Sequence, residues 1–149
     1  MLVQEIMRIK GSVLYTAKPS DSLMVAVETM AALDAGSLVV MDQGKMAGML
    51  TFREVLRAMR DHAGNVTELK VTDVMVKDPV TADVAMEANE LRRLMIEKHM
   101  RYLPVMEGSD LQGVISFLDI AKAVLEEQSF ENQMLKNYIK NWPAEEEKA

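Results

Sequence analysis

Residues 111–124 read LQGVISFLDIAKAV, and this stretch decides the fold. It spells a strand containing Gly113, followed by a helix whose first turn carries the Ser116 hydroxyl and, three residues on, the Asp119 carboxylate. The same arrangement occurs at residues 46–59, MAGMLTFREVLRAM, with Gly48, Thr51 and Glu54 in the corresponding places. A strand–helix junction that appears twice raises the question of whether the whole chain is duplicated.

It is. Gly48 and Gly113 are 65 positions apart, and the same offset pairs Thr16 with Thr81, Ala17 with Ala82, Met30 with Met95, Leu38 with Leu103, Val40 with Val105, and Phe52 with Phe117. No gap is needed to lay residues 16–59 on 81–124, and self-similarity on this scale outweighs any single motif. Upstream, QEIM (4–7) matches TDVM (72–75) at a slightly different offset, so the two leaders differ in length. Short extended pieces are expected at Leu14-Tyr15-Thr16 and Val80-Thr81, near Pro19 and Pro79. A helix follows in each copy, through Leu23, Val27, Met30 and Ala31, and through Met86, Leu91, Leu94 and Met95. Then come a strand (SLVVMD, 37–42; YLPVME, 102–107), a turn (QGK; GSD), a second strand and a closing helix from Phe52 or Phe117. The pattern predicts an α/β (α+β) fold of two pseudo-symmetric β-α-β-β-α units. The repeats span residues 1–60 and 71–127, with a polar linker at 61–70 and a helical extension with an acidic tail at 128–149. In that extension the apolar residues Val124, Leu125, Phe130, Met134, Leu135, Tyr138 and Ile139 continue as a stripe to about Trp142, where Pro143 stops it. The stripe suits packing onto its own chain or, in a homodimer, onto a second copy.

The chain has 149 residues, of which 49% are hydrophobic and 27% charged, enough for a core and a soluble surface. The formal net charge of −6 disfavours a nucleic-acid partner, which a basic face would be needed to hold. No apolar run reaches the length of a membrane span, and the opening residues lack a signal-peptide core, so a cytoplasmic location is expected. With no cysteine and only His62 and His99, thiol catalysis, cysteine-ligated zinc and histidine-based metal sites are not expected. The 14 methionines, many repeat-matched, read as core filler.

A β-α-β-β-α repeat with the pattern Gly-apolar-apolar-(Ser/Thr)-x-x-(Asp/Asn) at its second strand–helix junction resembles the CBS domain, named after cystathionine β-synthase. Two in tandem resemble a Bateman module. Gly113 to Asp119 fits closely; Gly48 to Glu54 departs in having Glu where Asp is usual. The resemblance covers roughly residues 3–127, and the chain is similar to small stand-alone prokaryotic CBS-pair proteins. It implies two subdomains packed through their sheets with two clefts between them. It further implies adenosine nucleotides such as AMP, ADP and ATP as regulatory ligands, with NADH or S-adenosylmethionine behind them, and a regulatory role without catalysis.

The residue chemistry is compatible with such ligands. A carboxylate at a helix start is favoured by the helix dipole and can accept bonds from a ribose diol, and free helix-start N–H groups favour phosphate. Ser116 and Asp119 equally fit a capping box, as do Thr51 and Glu54. By analogy with the family, the Asp119 cleft is expected to be the main site, completed by Thr16, Ala17, Lys18, Arg101 and Tyr102. The second, weaker site is expected to comprise Gly36, Ser37, Thr51, Arg53, Glu54, Thr81, Ala82 and Asp83. Lys18 and Arg101 supply positive charge that the second set lacks at Asp83. Two further readings compete with a ligand sensor: a dimeric interaction module with vestigial clefts, and a hydrolase. For the latter no phosphate loop or nucleophile–base set is visible.

Overall fold

A computed structural model describes residues 1–11 and 13–141. The order of elements is α1 (Val3–Lys10), β1 (Thr16–Ala17), α2 (Leu23–Leu33), β2 (Ser37–Asp42), β3 (Lys45–Thr51), α3 (Phe52–Asp61), α4 (Val71–Val74), β4 (Val76–Lys77), β5 (Ala82–Asp83), α5 (Ala88–Glu97), β6 (Tyr102–Glu107), β7 (Asp110–Ser116) and α6 (Phe117–Lys140). One sheet has the order β1-β2-β3-β4, the other β5-β6-β7. This is the mixed α/β fold of two related units expected from the repeat.

The duplication extends to detail. β1 runs parallel to β2 with Ala17 opposite Val40, and β5 runs parallel to β6 with Ala82 opposite Val105. Both hairpins shift register at the same place, between Val40 and Met41 and between Val105 and Met106. Left-handed residues close the hairpins, Gln43 (φ 49°) in one copy and Gly108 (φ 61°) in the other. α2 and α5 both end on a left-handed residue, Asp34 or His99, after which Ala35 N–H donates to the Met30 carbonyl and Met100 N–H to that of Met95, each at 2.9 Å. This closure satisfies carbonyls that a helix end leaves orphaned. β2 buries Leu38, Val39 and Val40 in succession, and β6 buries Leu103, Pro104 and Val105, as strands covered on both faces do.

The leaders cross over. Val3 and Ile6 of α1 pack into the core of the second repeat, with Leu91, Met95, Leu103, Ile115 and Ile120. Val71 of α4 packs into the core of the first, with Leu23, Met30, Leu38 and Leu50. Matching backbone bonds fix both: Val3 N–H to the Met86 carbonyl (2.9 Å), and Val71 N–H to the Asp21 carbonyl (2.9 Å). Each folded unit is therefore closed by the leading segment of the other repeat. The polar stretch after α3 is not a bare linker, because Val66 is buried and Leu69 packs beside it in the first core.

Some boundaries differ from the sequence reading. The leading strands are Thr16–Ala17 and Ala82–Asp83, one or two residues later than expected, because Ala17 and Ala82 are the side chains that enter the cores. Met86 precedes α5, its backbone engaged by α1. The apolar stripe of α6 is present, with Leu125, Phe130, Met134, Leu135 and Ile139 exposed and Val124 the last buried residue. Trp142, Pro143 and the acidic tail lie outside the described residues.

Candidate functional site

Both junction motifs form reciprocal caps. Ser116 Oγ accepts from the Asp119 N–H (3.0 Å) while Asp119 Oδ2 accepts from the Ser116 N–H (2.9 Å). In the first repeat Glu54 Oε1 accepts from both the N–H and the hydroxyl of Thr51 (2.8 Å each), and the Thr51 hydroxyl accepts in turn from the Arg53 N–H (3.3 Å). The extra methylene of Glu54 lets its carboxylate fold back onto Thr51 and leaves the residue only 7% exposed.

The two carboxylates then part company. Lys10, at the end of α1, places Nζ 2.6 Å from Asp119 Oδ2 and 2.7 Å from the Val114 carbonyl. Burial pushes the Asp119 carboxyl up, but the hydrogen bond from Lys10, the Ser116 N–H and the Lys10 charge together outweigh it and hold the group below the usual carboxylate range. Among the described residues no cation pairs with Glu54.

A cavity of about 460 Å³ opens at the Glu54 junction. One wall is the start of α3, with Thr51, Arg53, Glu54 and Arg57; another is Val76, Pro79 and Val80; the third is Met100 to Leu103. Three guanidinium groups, Arg53, Arg57 and Arg101, therefore share the lining of a cavity in a protein of net charge −6. Arg53 is already engaged across the cleft, donating from Nη2 to the His99 carbonyl. A further feature comes from the repeat register. In the first copy the Val39 N–H donates to the Tyr15 carbonyl at 3.0 Å. The matching positions in the second copy are Pro104 and Val80, and proline has no N–H to give. The carbonyl of Val80, a residue of the cavity wall, thus lacks the partner its counterpart has.

The expected site residues are distributed accordingly. Arg101 and Tyr102, grouped by analogy with Asp119, line the cavity together with Thr51, Arg53 and Glu54. Tyr102 also lies so close over Gly36 that a Cβ there would run into its phenol. Thr16 and Lys18 are exposed, the Lys18 N–H donates to Asp21, and Ala17 is in the core. Ser37 opens β2. Thr81, Ala82 and Asp83 do not line the cavity: Ala82 is in the second core, and Asp83 accepts from the Ala85 N–H. The segment two residues earlier, Pro79-Val80, takes their place. Arg57, which sequence reasoning missed, stands one helical turn beyond Arg53, a spacing that puts both on one face of α3.

Paired junctions, crossed leaders and an inter-repeat cavity define a tandem-repeat module. The sequence profile of the CBS domain matches residues 3–61 and 71–126, and the chain belongs to the CBS-domain family. It is 32% identical over 124 residues to the mitochondrial CBS domain-containing protein CBSX3 of Arabidopsis thaliana, a match covering 80% of this chain and 60% of the plant protein. Among solved structures, the CBS-domain protein ATU1752 of Agrobacterium tumefaciens superimposes with a TM-score of 0.78 at 28% identity, over 83% of this chain and 98% of that one. The CBS domain pair of protein MJ0100, solved with 5′-methylthioadenosine and S-adenosyl-L-methionine, shares the fold with a TM-score of 0.73 at 19% identity, over 85% of this chain and 98% of that pair.

Proposed function

We propose that this chain is a regulatory module that binds an adenosine nucleotide of the AMP, ADP or ATP class in the cavity at Glu54, and transmits binding as a change in the geometry of the two repeats. The observation that carries the reading is the convergence, on one cavity of about 460 Å³, of a buried carboxylate, three guanidinium groups, an aromatic ring and an apolar wall. That volume suits a small organic ligand. Each group has a part to play. Glu54 accepts from ribose hydroxyls, the guanidiniums hold phosphate, Tyr102 and Val80 flank the base, and the Val80 carbonyl accepts from an exocyclic amine. The adenosyl ligands of the MJ0100 pair, in the same fold, support the adenosine half of this reading. The Arg53–His99 bond supplies the signal: phosphate that recruits Arg53 competes with a tie between the repeats, so bound and free states differ in how the repeats are joined. The exposed apolar stripe of α6 favours a homodimer, with a further protein as reader of the state.

The test is thermal unfolding with AMP, ADP, ATP, NADH and S-adenosylmethionine, on wild type and Arg101→Ala. A nucleotide at 100 times its dissociation constant should add roughly 2.7 kcal/mol of stability. The gain should vanish in the variant. No shift with any of them at millimolar concentration would leave the dimeric interaction module as the better account.

A further inference from the structure

We propose that Lys10 decides which of the two clefts takes a ligand: its ammonium is an internal occupant of the Asp119 half-cleft, so the native chain binds nucleotide at Glu54 and keeps the Asp119 site shut. The ligand part of this rests on the nucleotide reading above.

The two leaders begin alike. Glu5 accepts from the Leu2 N–H and Asp73 from the Lys70 N–H, both at 2.9 Å, and Met7 and Met75 pack beside the matching glycines, Gly113 and Gly48. Beyond the methionines they diverge. The second leader leaves its helix after Val74 and pairs Val76 and Lys77 with Met49 and Gly48 as a fourth strand. The first stays helical to Lys10 and is stopped there by Gly11, at φ 95°. The extra helical turn replaces a fourth strand and delivers a side chain to the junction. Counted from the methionines, that side chain is Lys10 in the first leader and Asp78 in the second, and an acid cannot serve a carboxylate in this way.

Once delivered, Lys10 is held at two points. It donates to Asp119 Oδ2 and to the Val114 carbonyl of β7, so it ties the end of α1 to both sides of the strand–helix junction. The oxygen it engages is the one that also accepts from the Ser116 N–H. A ribose diol that is to bond both oxygens of that carboxylate must displace from Oδ2 an ammonium that is both a hydrogen-bond donor and a counter-ion. The side chains are 33% and 23% exposed, so the pair is reachable by solvent yet partly shielded from screening. At Glu54 no such competitor exists among the described residues, and the cavity opens there.

The test uses the full chain as wild type, Lys10→Met, Asp119→Asn and the double variant. Methionine keeps most of the aliphatic stem and removes the charge. Calorimetric titration with AMP and ATP should give one nucleotide per chain in wild type, two in Lys10→Met, and one again in the double variant. Two in wild type, or one in Lys10→Met, overturns the proposal and leaves the nucleotide reading intact. A second arm needs no ligand: loss of a partly exposed pair should speed amide exchange at Gly11, whose N–H closes α1 on the Met7 carbonyl, roughly fivefold. Asp119→Asn should do the same, with no further gain in the double variant. Unchanged exchange overturns the latch whatever binds. If no variant binds nucleotide but exchange rises, the nucleotide reading fails and Lys10 stands as the latch of a cleft for another occupant.

Discussion

Lys10 Nζ and Asp119 Oδ2 are 2.6 Å apart although 109 residues separate them in the chain. The pair joins α1 to α6 and occupies the carboxylate that the sequence motif marks most clearly as a ligand group. Its neighbours explain its strength: Ser116 and Val114 bond the same two side chains, so neither ion is free to turn away.

The pair sets a pH dependence. Asp119 titrates below the ordinary aspartate value in the folded chain, so its contribution to stability is complete above about pH 3.8, the unperturbed value. That contribution is lost as pH falls below this through the lowered folded value. Both side chains are partly exposed, which limits the effect to about 1 kcal/mol or less. Urea unfolding of wild type and Lys10→Met should therefore differ near neutral pH and converge in acid, and carboxyl carbon resonances should show the Asp119 titration moving up in the variant.

Gly48 is required by backbone proximity. A Cβ there would stand 2.5 Å from the Val76 carbonyl oxygen, which is fixed in the β3–β4 ladder and cannot yield as a flexible side chain could. Gly48→Ala should cost about 1–3 kcal/mol in chemical denaturation. It should also disturb amide resonances of Val76 and Lys77 more than those of β7.

Crossed leaders make a counter-intuitive prediction for Val71. It opens the second repeat in sequence but is fully buried in the first core. Val71→Ala removes two methylene equivalents of buried surface, about 2 kcal/mol. Hydrogen exchange should show the loss in β2 and α2, with β6 and α5 left protected.

The cap at Thr51 and the cavity share one carboxylate. Glu54→Ala should weaken α3 by about 1 kcal/mol, as loss of a cap does, and should also abolish nucleotide binding. Thr51→Val should cost similar stability but retain binding in part, because the carboxylate remains. Paired denaturation and titration of the two variants separate the roles.

Leu135→Glu on the outer part of α6 tests the apolar stripe. The side chain is 57% exposed, so folding stability should be unchanged within about 0.5 kcal/mol. In the proposed homodimer a charge on this stripe should raise the dissociation constant more than tenfold, on the order of 1.4 kcal/mol, in sedimentation velocity. Equal sedimentation of both proteins would remove α6 from the dimer contact.

Local and periodic features were legible in the sequence alone. The repeat shows when the sequence is laid on itself, Gly48 on Gly113, while the hairpin turns at Gln43 and Gly108 and the capped helix starts at Thr51 and Ser116 depend on residues within a few positions of each other. Backbone conformation and helix capping act over that range, so residue order suffices to specify them. Tertiary structure decided the rest. The walls of the cavity come from residues 51–57, 76–80 and 100–103, and only the packing of the two repeats brings them together. The leaders cross, and Val3 and Val71 are each fully buried in the other repeat's core. Whether Asp119 faces a ligand or Lys10 turned on whether α1 ends at Met7 or runs one turn further. That choice sets where a single ammonium lies in space, which no spacing near Asp119 encodes.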